Sequence, residues 1–123
     1  MIALEDFEGM DEREVWDHVI NGWGCPPLDE KRFDIVVAYE SVGDYGCDSS
    51  GYFLLREKDG GTFYEVEGSH CSCYGFEDQW EPGQTSLGAL KMRNYIGAGG
   101  YSGIDSKQLL SIVLKAAEDI DGH

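Results

Sequence analysis

The sequence is poor in positive charge: 9 lysines and arginines stand against 24 aspartates and glutamates in 123 residues, a formal net charge of −15. Because a surface of this sign repels phosphate groups, we expect no direct binding to DNA, RNA or an anionic membrane. The chain also lacks an apolar run of about 18 residues, the length that a membrane-spanning helix needs. Its first residues, MIALEDFEGM, carry acids where a secretory signal has bases, so the sequence predicts a cytoplasmic protein.

The composition nevertheless allows a folded core. Hydrophobic residues make up 41% of the chain and aromatic residues 12%, so intrinsic disorder is not expected. The length suits one acidic domain spanning residues 1–123. We interpret residues 1–10 as an acidic N-terminal segment that could be mobile.

Three segments show helical signals. Asp11 and Glu14 form a capping-box pattern that predicts a helix over residues 12–20. Thr85 or Ser86 can cap a second helix that reaches to about residue 95. A third helix is predicted at residues 107–119, and its broad apolar face should lie on a sheet.

Between the first two helices the pattern indicates short strands. Residues 33–42 and 52–57 are rich in β-branched and aromatic side chains. An Asp-Gly turn at residues 59–60 leads into a third strand at 62–66, and a fourth could lie near 70–75. The predicted fold class is α+β: an antiparallel meander of three to four strands, packed by two or three helices on one side.

The negative charge is concentrated in two blocks. Residues 1–20 hold seven acids and one base, Arg13, and residues 59–90 hold six acids and no lysine or arginine. Solubility of a small domain needs a net charge of only about 2–8, so this excess suggests a binding role. Aromatic rings flanked by acids suit a contact with a basic protein. The candidate partner-binding residues are Asp11, Glu12, Glu14, Glu65, Glu67, Phe76, Glu77, Asp78, Trp80 and Glu81.

The most specific local stretch is the Ser-His-Cys-Ser-Cys-Tyr-Gly motif at residues 69–75, followed by Gln-Trp-Glu-Pro at 79–82. Over residues 35–93 the chain resembles small acidic proteins encoded by phages and prophages. Gly83 and Gln84 depart from the pattern, since acids often follow the proline in such proteins. The resemblance implies a phage origin and no established activity, so it carries over no functional residue.

The cysteines in this motif leave four interpretations open. His70, Cys71, Cys73 and Cys47 are suitable zinc ligands, although one intervening residue is not the spacing of a zinc knuckle, and Cys25 would have to join from a distant loop. A cysteine nucleophile would need a base close to its thiol. A disulfide is disfavoured in a reducing compartment. The fourth interpretation is structural, with the cysteines filling small spaces in the core.

Together these features predict a non-enzymatic inhibitor or adaptor that binds a basic host protein through its acidic surface. In a phage setting the partner would be a nucleic-acid-binding protein such as a defence nuclease, and the activity anti-CRISPR, anti-restriction or nucleic-acid mimicry. The alternative is a small-ligand or zinc module centred on His70, Cys71 and Cys73, with Tyr45 and Trp80 beside them. The sequence predicts no cofactor, and a homodimer is a further option.

Overall fold

A computed structural model describes residues 1–43, 49–70, 75–98 and 104–121 of the chain. Over these residues the fold is α+β, with a five-stranded mixed sheet and four helices. In chain order the elements are β1 (Ile2–Glu5), α1 (Glu12–Gly22), α2 (Asp29–Arg32), β2 (Phe33–Ser41), β3 (Ser49–Glu57), β4 (Phe63–His70), β5 (Gly83–Thr85), α3 (Leu87–Lys91) and α4 (Ser106–Asp121).

The sheet runs in the order β1-β2-β3-β4-β5. Strands β2 to β4 form the predicted antiparallel meander, and β5 adds to it beside β4. The β3–β4 turn places Gly60 and Gly61 at φ +95° and +73°. These positive φ values explain the two glycines, because other residues rarely adopt them. The predicted strand near residues 70–75 falls largely outside the described residues, and the fourth meander strand is β5.

The first ten residues take part in both the sheet and the core. β1 pairs in parallel with β2, from Ile2 opposite Val37 to Glu5 opposite Glu40, and Phe7 is fully buried. The acidic N-terminal segment, residues 1–10, thus contributes an edge strand and a core side chain. Its pairing partner lies more than thirty residues away in sequence, which local patterning does not reveal.

The helices also correct the expectation of a one-sided sheet. α1 packs on one face, in a buried cluster with Phe53 and Val66. α3 and α4 pack on the other face, in a second cluster with Tyr52 and Leu54. Because neighbouring strand residues point to opposite faces, the continuous burial of residues 35–41 in β2 and 49–55 in β3 gives the sheet two covered faces. We call these the α1 face and the α4 face.

Helix boundaries follow the predicted caps. Asp11 accepts a hydrogen bond from the Glu14 backbone N–H at 2.8 Å, and the Glu14 carboxylate accepts from the Asp11 N–H at 3.2 Å, which confirms the capping box. Ser86 caps α3 by accepting from the Ala89 N–H at 3.1 Å. Within the described part of the chain, no helix has the length and apolar character to span a membrane.

Candidate functional site

Five of the six turn and helix acids predicted for binding are exposed on the α1 face: Asp11, Glu14, Glu77, Asp78 and Glu81. Asp17, also exposed, lies on α1 beside Arg13, the one arginine of a helix without lysine, and the two side chains pair at 2.9 Å. Arg13 also pairs with Glu30. The positive charge on α1 is therefore already engaged by carboxylates.

The sixth acid, Glu12, has a structural role. Its carboxylate accepts a hydrogen bond from the Ile35 backbone N–H at 2.9 Å, at the point where the β2–β3 register shifts between Ile35 and Val37. A strand amide near such an irregularity needs another acceptor, and Glu12 supplies it. This side chain is directed toward the sheet and ties α1 to β2.

The turn between β4 and β5 is held onto α1 by aromatic rings. The Phe76 ring stacks on the Trp23 indole with centroids 4.1 Å apart and planes 4° apart. The ring centroids of Trp80 and Trp16 lie 6.0 Å apart. Trp80 Nε1 donates a hydrogen bond to the Asp29 carboxylate at 2.9 Å. The Trp80 backbone N–H also donates to the Trp23 carbonyl at 3.3 Å. The turn is thus anchored to the end of α1 and the segment that follows it.

This packing buries Phe76 and Trp80, two of the residues that the sequence analysis assigned to partner contact. Each ring is only 6% exposed and belongs to the core of the α1 face. Large rings complete a small core because each removes about 150–250 Å² from water. Their contribution to the surface is indirect, since they fix the positions of the acids that flank them.

The acids of two distant sequence blocks consequently share one side of the sheet. Asp78, at φ +61°, lies against Gly24, where an added Cβ would come within 3.2 Å of the Asp78 nitrogen. We define the acidic face as the exposed carboxylates carried by α1 and this turn: Asp11, Glu14, Asp17, Glu77, Asp78 and Glu81.

Glu65 and Glu67 are not part of the acidic face. Opposite Leu54 and Tyr52 in the ladder, they point to the α4 face. The Glu65 carboxylate accepts from the buried Tyr52 hydroxyl at 2.7 Å and from Arg93 at 2.6 Å. Burial raises the pKa of Glu67, and Arg93 at 3.7 Å opposes that rise. These two acids form a local network around Arg93.

A histidine and a buried carboxylate that the sequence analysis did not single out also meet on the α1 face. Glu40, near the C-terminal end of β2, is 4% exposed. It accepts from Trp23 Nε1 at 2.9 Å and lies 2.9 Å from His18 Nε2. The hydrogen bond to Glu40 raises the pKa of His18, with the charge of Asp6 adding to it and burial opposing it. The sequence signal for this contact is an acidic residue, Glu40, within an apolar strand, because a buried carboxylate needs hydrogen-bond partners.

The proposed His-Cys site falls mostly on undescribed positions. Cys47, Cys71, Cys73 and Tyr45 lie outside the described residues, whereas the His70 ring is 4.4 Å from Phe76 in an edge-on contact. Cys25 is buried, which confirms the structural interpretation for this cysteine. Burial, followed by the charges of Asp29 and Glu30, raises its pKa to about 12, so the thiol stays protonated at neutral pH. Among the described residues, no three histidine, cysteine or acidic side chains form a group suited to a metal ion.

Comparison with protein-family models, curated proteins and solved structures finds no match to this chain. The resemblance of residues 35–93 to phage-encoded proteins stays a prediction. We therefore infer the function of the acidic face and of the His18–Glu40 pair from their geometry and charge.

Proposed function

We propose that the protein is a non-enzymatic binding protein that docks the acidic face on a basic partner. The observation that carries this proposal is the packing of the 75–82 turn onto α1, which puts carboxylates from two sequence blocks on one side of the sheet. Exposed carboxylates on well-packed elements attract lysine and arginine and speed association with a basic surface. Aromatic packing beneath the acids keeps their spacing fixed, which lowers the ordering penalty on binding.

Within this proposal the partner is a nucleic-acid-binding host protein. Carboxylates on a rigid domain can occupy a groove that otherwise accepts phosphates, because both present negative charge to the same lysines and arginines. The phage resemblance suggests a defence nuclease or its complex as the host protein. The activity would then be inhibition of the anti-CRISPR or anti-restriction kind, by competition with nucleic acid.

A charge-matched comparison tests the proposal. One bait carries Glu77→Lys, Asp78→Lys and Glu81→Lys on the acidic face. A control bait carries Glu118→Lys, Asp119→Lys and Asp121→Lys on α4, which changes the net charge by the same amount on the other face. Tagged baits are incubated with host lysate at low salt, and captured proteins are identified by mass spectrometry and released by rising salt.

We expect the wild-type and control baits to retain the same basic protein, and the acidic-face variant to lose it. Added duplex DNA should release that protein if the carboxylates occupy its nucleic-acid site. Equal capture by all three baits, or equal loss from both variants, would contradict docking through the acidic face. If added DNA does not release the captured protein, the acidic face still binds a basic partner, but nucleic-acid mimicry is contradicted.

A further inference from the structure

The two edges of the sheet are treated differently. On the outer side of β4, residues Phe63 to Glu65 pair with β5. Further along, the Gln79 side chain replaces a neighbouring strand: its oxygen accepts from the Ser69 N–H and its nitrogen donates to the Ser69 carbonyl, both at 2.9 Å. This edge is therefore covered by a short strand and a side-chain amide, which is one way that proteins prevent unwanted strand addition.

The other edge is β1, which pairs with β2 on its inner side only, as far as the described residues show. The Asp6 N–H donates to the Glu40 carbonyl at 2.9 Å, so Asp6 faces β2. Alternation along a strand then directs Leu4 toward β2 and the N–H groups of Ala3 and Glu5 outward. The Glu5 carbonyl accepts from Glu8, which leaves an outward ladder made of the Ala3 N–H, the Ala3 carbonyl and the Glu5 N–H.

Among residues 2–5 this edge has no lysine, no proline and no shift of register, which are three of the devices that block strand addition. The strand is short, at four residues, and ends at Glu5 with φ +55°. Its first two side chains, Met1 and Ile2, are 46% and 39% exposed. Its other end runs into acidic residues at Glu5 and Glu8. The Asp6 carboxylate, by contrast, accepts a hydrogen bond from the Val42 N–H at 2.8 Å. An added strand would meet apolar contacts at one end and negative charge at the other.

We propose that β1 is a docking edge on which an extended basic segment of the partner adds as a sixth strand. The inference rests on the proposed function, because it assigns the basic partner a second mode of contact. Main-chain hydrogen bonds supply the binding in strand addition, and side chains supply the selection. A second copy of this chain is a poorer occupant, since it would bring the same carboxylates and another net charge of −15 to the edge.

The test uses a fluorescein-labelled ten-residue peptide that alternates lysine and valine, and measures anisotropy against the full chain. A matched peptide with N-methyl groups on every second residue keeps the charge but loses one row of hydrogen-bond donors. On the protein, Ala3→Pro removes the outward N–H and places its ring on the edge, whereas Ala3→Ser keeps the N–H. Thermal melts monitored by circular dichroism report whether each variant folds.

We expect the peptide to bind the wild-type protein and Ala3→Ser alike, with affinity about tenfold weaker for Ala3→Pro and for the N-methylated peptide. Equal binding of the N-methylated peptide would overturn the proposal by showing contact through charge alone, and this arm holds even if Ala3→Pro fails to fold. Absence of peptide binding would also overturn it. So would a dimer in sedimentation that Ala3→Pro dissolves, because the edge would then serve a second copy.

The two proposals fail separately. If the lysate partner is lost with the lysine variants of the 77–81 turn but retained by a folded Ala3→Pro variant, the acidic face stands and the docking edge is wrong. If the partner is retained by the turn variant and lost only with Ala3→Pro, strand addition at β1 is supported and docking through the acidic face is wrong.

Discussion

The two faces of the sheet are covered by side chains of different kinds. Among the buried residues described on the α1 face, seven are aromatic: Phe7, Trp16, Trp23, Phe33, Phe53, Phe76 and Trp80. The corresponding cluster on the α4 face has three aromatic residues, Tyr39, Tyr52 and Phe63, and is otherwise aliphatic. Aromatic packing depends on ring orientation, whereas an aliphatic interface tolerates more rearrangement. The difference suggests that the α1 face is built for a fixed geometry.

The charged side chains on the two faces also differ. On the α1 face, indole groups bond to carboxylates: Trp23 to Glu40 and Trp80 to Asp29, both at 2.9 Å. On the α4 face, Lys91 lies 3.9 Å from Glu118, and the residues from 91 onward carry equal numbers of acids and bases. In the described structure, the carboxylates of the α1 face are thus bonded to aromatic rings whose packing depends on orientation. A binding surface gains from this arrangement, because its charged groups are positioned before the partner arrives.

The largest expected effect comes from breaking the aromatic face at its centre. Trp23→Ala should lower the free energy of unfolding by about 3–5 kcal/mol, because it removes a fully buried indole together with a donor to Glu40. Leu109→Ala, at a fully buried position on the α4 face, should cost about 2–5 kcal/mol without loss of a hydrogen bond. Urea unfolding of both variants measures the difference.

Trp23→Phe separates the two contributions, since it keeps a ring against Phe76 but has no N–H for Glu40. Its destabilisation should fall between that of wild type and that of Trp23→Ala. A larger loss from Leu109→Ala than from Trp23→Ala would contradict the view that the α1 face depends on its aromatic centre.

A smaller effect is expected from the two glycines beneath that indole. Gly51 and Gly68 are opposite each other in the β3–β4 ladder, and Trp23 lies over both. An added Cβ would come within 2.5 Å of Trp23 at Gly51 and 2.7 Å at Gly68. Each alanine substitution should therefore destabilise the protein by about 1–3 kcal/mol through overpacking.

Gly22→Ala is the matched control, because an added Cβ at this last residue of α1 meets nothing within 4 Å. Its effect on the urea midpoint should stay within about 0.5 kcal/mol. A Trp23→Phe background should reduce the penalty of Gly51→Ala, since phenylalanine lacks the outer ring of the indole. Equal penalties in the two backgrounds would show that the strain arises elsewhere.

Local patterns were sufficient to predict α1 with its capping box, the strands at the centre of the meander and the C-terminal helix. They missed β1 and β5, since strands of four and three residues carry too little periodicity and depend on distant partners. The apolar run of β2 could have indicated a sheet covered on both faces, because a strand with one solvated face alternates. Acid-flanked aromatics suggested a surface patch, yet Phe76 and Trp80 are buried, because the small core needs their area.

The candidate site was predictable in charge but not in arrangement. The two acidic blocks are visible in the sequence, but only tertiary packing assigns the turn acids to α1 and Glu65 and Glu67 to the opposite face. The His18–Glu40 contact joins residues 22 positions apart, on a helix and a strand whose relative placement no local signal defines. Such contacts follow from the packing of elements and not from the pattern within any one of them.

The smallest expected effect depends on pH and concerns the same His18–Glu40 contact. The pKa of folded His18 is raised above its ordinary 6.5 by the hydrogen bond to Glu40 and, to a lesser degree, by Asp6. Below about pH 6 both the folded and unfolded states hold the proton, and the charged contact stabilises the fold fully. As pH rises past 6.5 the unfolded state releases its proton first, so the free energy of unfolding falls until the folded pKa is passed.

His18→Gln keeps an N–H group near Glu40 but cannot titrate. We expect the variant to be less stable than wild type at pH 5.5, by at most about 1 kcal/mol because solvent screens the partly exposed His18 side chain. The gap should narrow as pH rises from 6.5 through the raised pKa of folded His18. Urea unfolding across this range checks it, and the other two histidines cancel because they are common to both proteins. A gap that stays constant with pH would mean that His18 contributes by packing, including its edge contact with Phe7, and that its charge does not hold α1 to the sheet.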